Sequence, residues 1–221
     1  MSTQQTSDSK TFSRRTFLGY SAAAACAAAA GQRRLAAADD QAPWTMRLAT
    51  SSIHYLHLPV EQACEQIAKL GFEAVDIWSA HAGCPHLDDV AQRLKADGLC
   101  KVLDGQKLKL FSFSVYAGGY ARYAQLLGDS GGGVAVQGSA GPCPPAELTA
   151  RMKAFLEGLK PLAELAEKYN SYLAIENHGH ALLDSVDSFK AFVDLNQSPR
   201  LGIALAPYHV QAIKQSVEDA I

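Results

Sequence analysis

Tyr172-Leu173-Ala174-Ile175-Glu176-Asn177-His178-Gly179-His180 passes from an apolar run to a dense polar cluster without a transition. In a strand, side chains alternate between two faces, so Leu173 and Ile175 point one way while Tyr172, Ala174 and Glu176 point the other. Glu176 is then the first charge on the inner face. Long helical patterns on both sides fit a parallel strand of an α/β fold, whose functional groups gather at its carboxyl end. A core strand that simply runs out into a polar loop would give the same pattern, so the rest of the chain has to decide.

Outward from this stretch, the chain repeats a short β-rich run followed by a helical pattern, six times from Met46. The strand readings are Met46 to Ser52, Phe72 to Ser79, Lys107 to Val115, Gly133 to Gln137, the Glu176 strand, and Leu201 to Ala206. The helical readings are Val60 to Leu70, Asp88 to Leu103, Tyr120 to Leu127, Ala146 to Tyr169 with a kink or break expected at Pro161, Val186 to Leu195, and Gln211 to Ile221. Strand–helix alternation predicts a parallel sheet, and the right-handed crossover rule leaves a doubly wound sheet or a barrel.

The distribution of polar residues favours the barrel. Asp76 alternates with Val75 and Ile77, so it faces inward together with Trp78, where a carboxylate needs a partner or a ligand. On the sixth strand Gly202, Ala204 and Ala206 leave the inner wall open. All seven histidines (His54, His57, His81, His86, His178, His180 and His209) follow strand ends, which a barrel gathers at one rim. The Gly138 to Pro145 segment matches no phosphate-binding glycine pattern and reads as a turn.

Composition limits the functions available. With 48% hydrophobic and 19% charged residues, the 221-residue chain is globular, and a net charge of −2 with scattered Lys and Arg argues against nucleic acid as a partner. The five cysteines show no metal-ligand spacing and read as structural, with a disulfide left open. Ser13-Arg14-Arg15-Thr16-Phe17-Leu18 before the small apolar stretch Gly19 to Ala30, then Ala36-Ala37-Ala38, resembles a twin-arginine export signal. Residues 1–38 are thus expected to engage the twin-arginine export machinery and direct residues 39–221 to the periplasm. The apolar stretch is too short to span a membrane, which takes about 20 residues.

Leu173-Ala174-Ile175-Glu176-Asn177-His178, followed by Leu201-Gly202-Ile203-Ala204-Leu205-Ala206-Pro207-Tyr208-His209, resembles the sugar phosphate isomerase/epimerase family. This is the xylose isomerase-like TIM-barrel group that also includes endonuclease IV. Glu61 to Lys69 and Gly71 to Asp76 resemble its first two units. The resemblance implies a (β/α)8-type barrel, of which this sequence supplies about six units. It implies a divalent metal (Mn, Zn or Mg) and proton transfer next to a carbonyl of a carbohydrate-derived substrate, with Glu176 as metal ligand and base. His209 matches a histidine that contacts substrate, and His54, Asp76, Trp78 and His178 are further candidates for holding it. Two features depart from the pattern: Ala206 stands where the family carries a ligand aspartate, and the later ligands fall beyond Ile221. A non-catalytic carbohydrate-binding protein therefore remains an alternative, and an open six-strand barrel would be prone to oligomerise.

Overall fold

The computed structural model describes residues 47–221, so the export-signal reading and Cys26 lie outside the described residues. Six parallel strands form one sheet in the order β1 to β6: β1 Ala49–Ser51, β2 Ala74–Trp78, β3 Lys109–Ser114, β4 Gly133–Gly138, β5 Ser171–Glu176 and β6 Leu201–Ala204. Between them run the helices α1 Val60–Lys69, α2 His86–Asp89, α3 Lys95–Gln106, α4 Tyr120–Asp129, α5 Leu148–Lys168 and α6 Val186–Leu195, with α7 Pro207–Ala212 after β6. A parallel strand needs a crossover before the next, and these helices are the crossovers.

Side-chain alternation divides the sheet into a buried outer face and an open inner one. Val75, Ile77, Phe113, Ala135, Leu173 and Ile175 are completely buried against helix residues such as Ile67, Leu99, Tyr123, Leu127 and Phe192. Register arranges the opposite face in rows. Ser51, Asp76, Ser112, Val134 and Tyr172 are aligned across five strands; Trp78, Ser114, Val136, Ala174 and Gly202 form the next row; Gly138, Glu176 and Ala204 form the uppermost.

One irregularity sets this pattern on β3. Val75 pairs with Leu110 but Asp76 pairs with Ser112, so Phe111 is an extra residue bulged from the ladder. A bulge re-aims the side chains that follow it. Here it turns Ser112 and Ser114 toward Asp76 while sending Phe113 into the core.

Four expectations about elements are corrected. The first strand is shorter than Met46 to Ser52, because Ser51 Oγ accepts the N–H of Ile53 and begins a tight turn over Ser52–Tyr55. The helix expected over Asp88 to Leu103 is three pieces: α2, a π turn over Val90–Leu94, and α3. Buried Leu87 and Val90 would be followed in a regular helix by residues near 98 and 102, whereas Leu99 and Leu103 are the buried ones, and the wider turn absorbs that extra residue. Pro161 does not break α5, since it and Glu157, whose carbonyl loses a partner, are both exposed and water can serve that carbonyl. The last helix opens at Pro207, whose fixed φ suits the first helical position, rather than at Gln211.

Candidate active site

The inner face of the sheet bounds an open pocket of about 720 Å³ that takes side chains from every strand. Most barrels fill this space with bulky aliphatic residues. Here the small residues Ala49, Ser51, Gly202 and Ala204 leave it hollow, while Trp78, Phe111, Tyr116 and Tyr172 provide aromatic surfaces.

Glu176 ends β5, flanked in register by Gly138 and Ala204, neither of which has a side chain that could crowd it. The Tyr116 hydroxyl donates to Glu176 Oε2 at 2.5 Å. Tyr116 follows β3, where Val115 N–H still bonds Val136 O at 2.8 Å and Ala117 N–H bonds Ser79 Oγ at 3.0 Å, so the backbone on both sides of it is fixed. Its ring lies 5.1 Å from Trp78 and 5.8 Å from His81. Trp78 in turn donates its indole N–H to His81 O at 3.1 Å. Burial, then the Glu176 carboxylate, pushes the Tyr116 phenol well above its ordinary range, so it stays a donor at any physiological pH.

Asp76 faces inward as its alternation predicts, and its partners are hydroxyls: Ser112 Oγ and Ser114 Oγ each donate at 2.8 Å. Burial raises its pKa, with the bonds from Ser114, Ser112 and Ser51 opposing. An acid whose folded pKa is raised contributes stability below the ordinary aspartate range of about 4 and loses it as pH climbs through the folded value. Asp76→Asn is therefore expected to raise the thermal midpoint at pH 7.5 by about 3 °C, with the difference from wild type narrowing toward pH 4. Midpoints measured across that pH range check this; a variant less stable at pH 7.5 would contradict it.

A second cluster surrounds His209. Its ring lies 4.1 Å from that of His178 and 3.8 Å from that of Tyr208. Gly179 N–H points at its Nδ1 at 3.4 Å, and its buried Nε2 has no partner among the described residues. Burial, followed by His178, lowers its pKa while Glu176 opposes, which favours the neutral ring.

The expected single rim of histidines is divided. His178 and His209 cluster after β5 and β6, and His81 stacks beside Tyr116. His57 and His86 line a separate groove with α1, where the His86 ring bonds Leu58 O at 2.9 Å. His54 is exposed in the turn after β1 and does not line the pocket, because that strand stops at Ser51. His178 does not continue the Glu176 face either: β5 ends at Glu176, Asn177 is fully buried, and exposed His178 bonds Gly179 O at 2.8 Å. Asn177 Oδ1 accepts Ala206 N–H at 2.6 Å and its Nδ2 donates to Ala206 O at 3.2 Å, so this one side chain ends the β6 ladder and ties it to β5.

The described residues do not fit a divalent ion. No group of three His, Cys, Asp or Glu side chains capable of holding one occurs among the described residues, and Ala206, with its backbone already occupied by Asn177, offers no donor. A catalytic zinc typically needs about three protein ligands. Cys64, Cys84, Cys100 and Cys143 are free thiols, and burial pushes Cys64 up to about 12.

A parallel sheet with alternating helices and polar groups at the carboxyl strand ends defines a TIM-barrel-type protein. The family profile described as xylose isomerase-like TIM barrel matches residues 64–220, and the chain belongs to that family. No curated protein sequence matches it. Among solved structures it is similar to the probable 3-DHS dehydratase of Bacillus anthracis, with 17% identity and a TM-score of 0.64 over 79% of this chain and 68% of that one. The 3-keto-D-glucoside 4-epimerase of E. coli aligns at 12% identity and a TM-score of 0.61, over 80% and 74% of the two chains. An IOLI protein with a bound zinc atom gives 14% identity and 0.61, over 79% and 67%. At such identities the likeness establishes the fold.

Sequence reasoning missed Tyr116, Ser112, Ser114 and the clamp role of Asn177. The Ser112-Phe113-Ser114 alternation was a usable signal for the two serines. Tyr116 offered only its place just beyond the third strand.

Proposed function

We propose that this protein catalyses proton transfer next to the carbonyl of an uncharged, carbohydrate-derived substrate, as an isomerase or epimerase, with Glu176 as the base. The observation that carries this reading is the placement of Glu176: a carboxylate at the carboxyl end of a barrel strand, bonded by Tyr116, lining a hollow pocket with only glycine and alanine on its flanks. A proton next to a carbonyl is weakly acidic, and a positioned carboxylate typically contributes about 10²–10⁴ in rate to its removal. Hydroxyl, aromatic, aliphatic and carboxyl groups line the pocket, which suits the hydroxyls and C–H faces of a neutral sugar better than a phosphate. The 3-keto-D-glucoside 4-epimerase among the structural neighbours supports the class of reaction without naming the substrate.

The test is solvent isotope exchange. Neutral ketoses such as D-fructose and D-xylulose are incubated with the protein in D2O, and loss of the proton beside the carbonyl is followed by NMR. Exchange above the buffer rate is expected; binding of these sugars without exchange would favour the second reading, a carbohydrate-binding protein. That alternative draws on Ala206, which leaves the site short of a donor.

Export is also a proposal, resting on Arg14 and Arg15 before the Gly19 to Ala30 stretch. The secreted product is expected to begin near Asp39, which amino-terminal sequencing would check.

A further inference from the structure

We infer that Tyr116 is the positioning residue for Glu176: its hydroxyl holds Oε2 and leaves Oε1 as the oxygen presented to substrate. The inference rests on Glu176 being the base and adds the part that fixes its orientation.

A glutamate at a strand end has three rotatable bonds, and an open pocket such as this one does little to restrict them. The bond from Tyr116 at 2.5 Å supplies the restriction, because a donor to an ionised oxygen makes a short, strong hydrogen bond. Restraint of that kind works only if the donor is itself held. Tyr116 is held twice, by the backbone bonds on either side of it and by the Trp78 and His81 rings, with Trp78 anchored to His81 O. The positioning unit therefore runs from the end of β2, through the residue after β3, to the end of β5. Gly138 on the intervening β4 adds no side chain to the path. With Oε2 engaged, Oε1 is the carboxylate oxygen left over, and the small residues Gly138 and Ala204 paired with Glu176 leave room for a substrate to reach it.

Tyr116→Phe removes the hydroxyl and keeps the ring in its stack, which makes it the informative variant. Two measurements are made on the intact chain. In the unliganded protein at one fixed pH, the side-chain carboxyl carbon of Glu176, labelled with carbon-13 and assigned by its loss in Glu176→Gln, is expected to shift and broaden in Tyr116→Phe. In the isotope-exchange assay, kcat is expected to fall about tenfold to a hundredfold, the scale on which misplacement of a reacting group costs rate. KM should stay within about twofold, since an interaction made chiefly in the transition state lowers kcat and kcat/KM together. If Tyr116→Phe does not fold, Trp78→Leu, which removes the stacking partner but keeps the hydroxyl, is expected to broaden the same resonance. A Glu176 signal identical to wild type, or a rise in KM with unchanged kcat, would overturn the inference. The spectroscopic arm needs no turnover, so it can succeed where the proposed reaction fails. Conversely, wild-type exchange that Tyr116→Phe leaves untouched would remove only the positioning role.

Discussion

Glu176→Gln is expected to lower the rate of exchange beside the substrate carbonyl by about 10²–10⁴, with sugar binding within about threefold of wild type. Glutamine preserves the size of the side chain and still offers an oxygen to the Tyr116 hydroxyl, so the pocket keeps its shape while losing a proton acceptor. The comparison is made by NMR in D2O at matched thermal stability. A variant that exchanges as fast as wild type would remove Glu176 from the chemistry and turn attention to Asp76, the other carboxyl on the inner face. Asp76 is the poorer candidate, since two serine hydroxyls already occupy its oxygens and burial favours its protonated form.

Asn177→Leu is expected to cost about 1–3 kcal/mol of folding stability. The wild-type side chain is fully buried and bonds both the N–H and the C=O of Ala206; leucine fits the volume but leaves the N–H without its partner, while the C=O keeps the bond from His209 N–H at 3.2 Å. One orphaned buried N–H costs about that much. Urea unfolding measures the loss, and Asn177→Asp should fall between, because it keeps the acceptor for Ala206 N–H and gives up the donor. Near-wild-type stability of Asn177→Leu would mean that the β6 end is not held by this clamp. Activity is expected to fall with stability, because His209 lies three residues beyond Ala206 and moves with it.

Much of this architecture is legible from residue pattern alone. Val75 and Ile77, like Leu173 and Ile175, alternate with polar or small residues, and period-two spacing requires the outer and inner faces that the structure displays. The placement of Glu176 and Asp76 on the inner face follows from the same count. What alternation could not supply is any departure from it. The bulge at Phe111 and the π turn at Val90–Leu94 each insert a residue that no local pattern marks, and each is resolved only by packing against a neighbouring element. Long-range partners were hidden for a related reason. Tyr116 and Glu176 are 60 positions apart, so their contact depends on how far β3 and β5 extend past a shared row. The histidines were over-read, since lying after a strand end places a residue in the right layer of loops but leaves open which side of the loop it occupies. His54 and His86 show the difference.

The extra residue at Phe111 bears on how this chain compares with its relatives. Because the ladder resumes with Asp76 opposite Ser112, the serines owe their orientation to the number of residues in β3 as much as to their identity. A relative lacking one residue here could keep every contact to Asp76 in an unkinked strand, giving up only an exposed aromatic from the pocket floor. An alignment that closes the gap on the wrong side of Phe111 would match serine with phenylalanine and conceal two chemically equivalent interiors. At this strand residue number shapes the lining as much as residue identity does, and single-residue indels are where divergence of the lining should be sought.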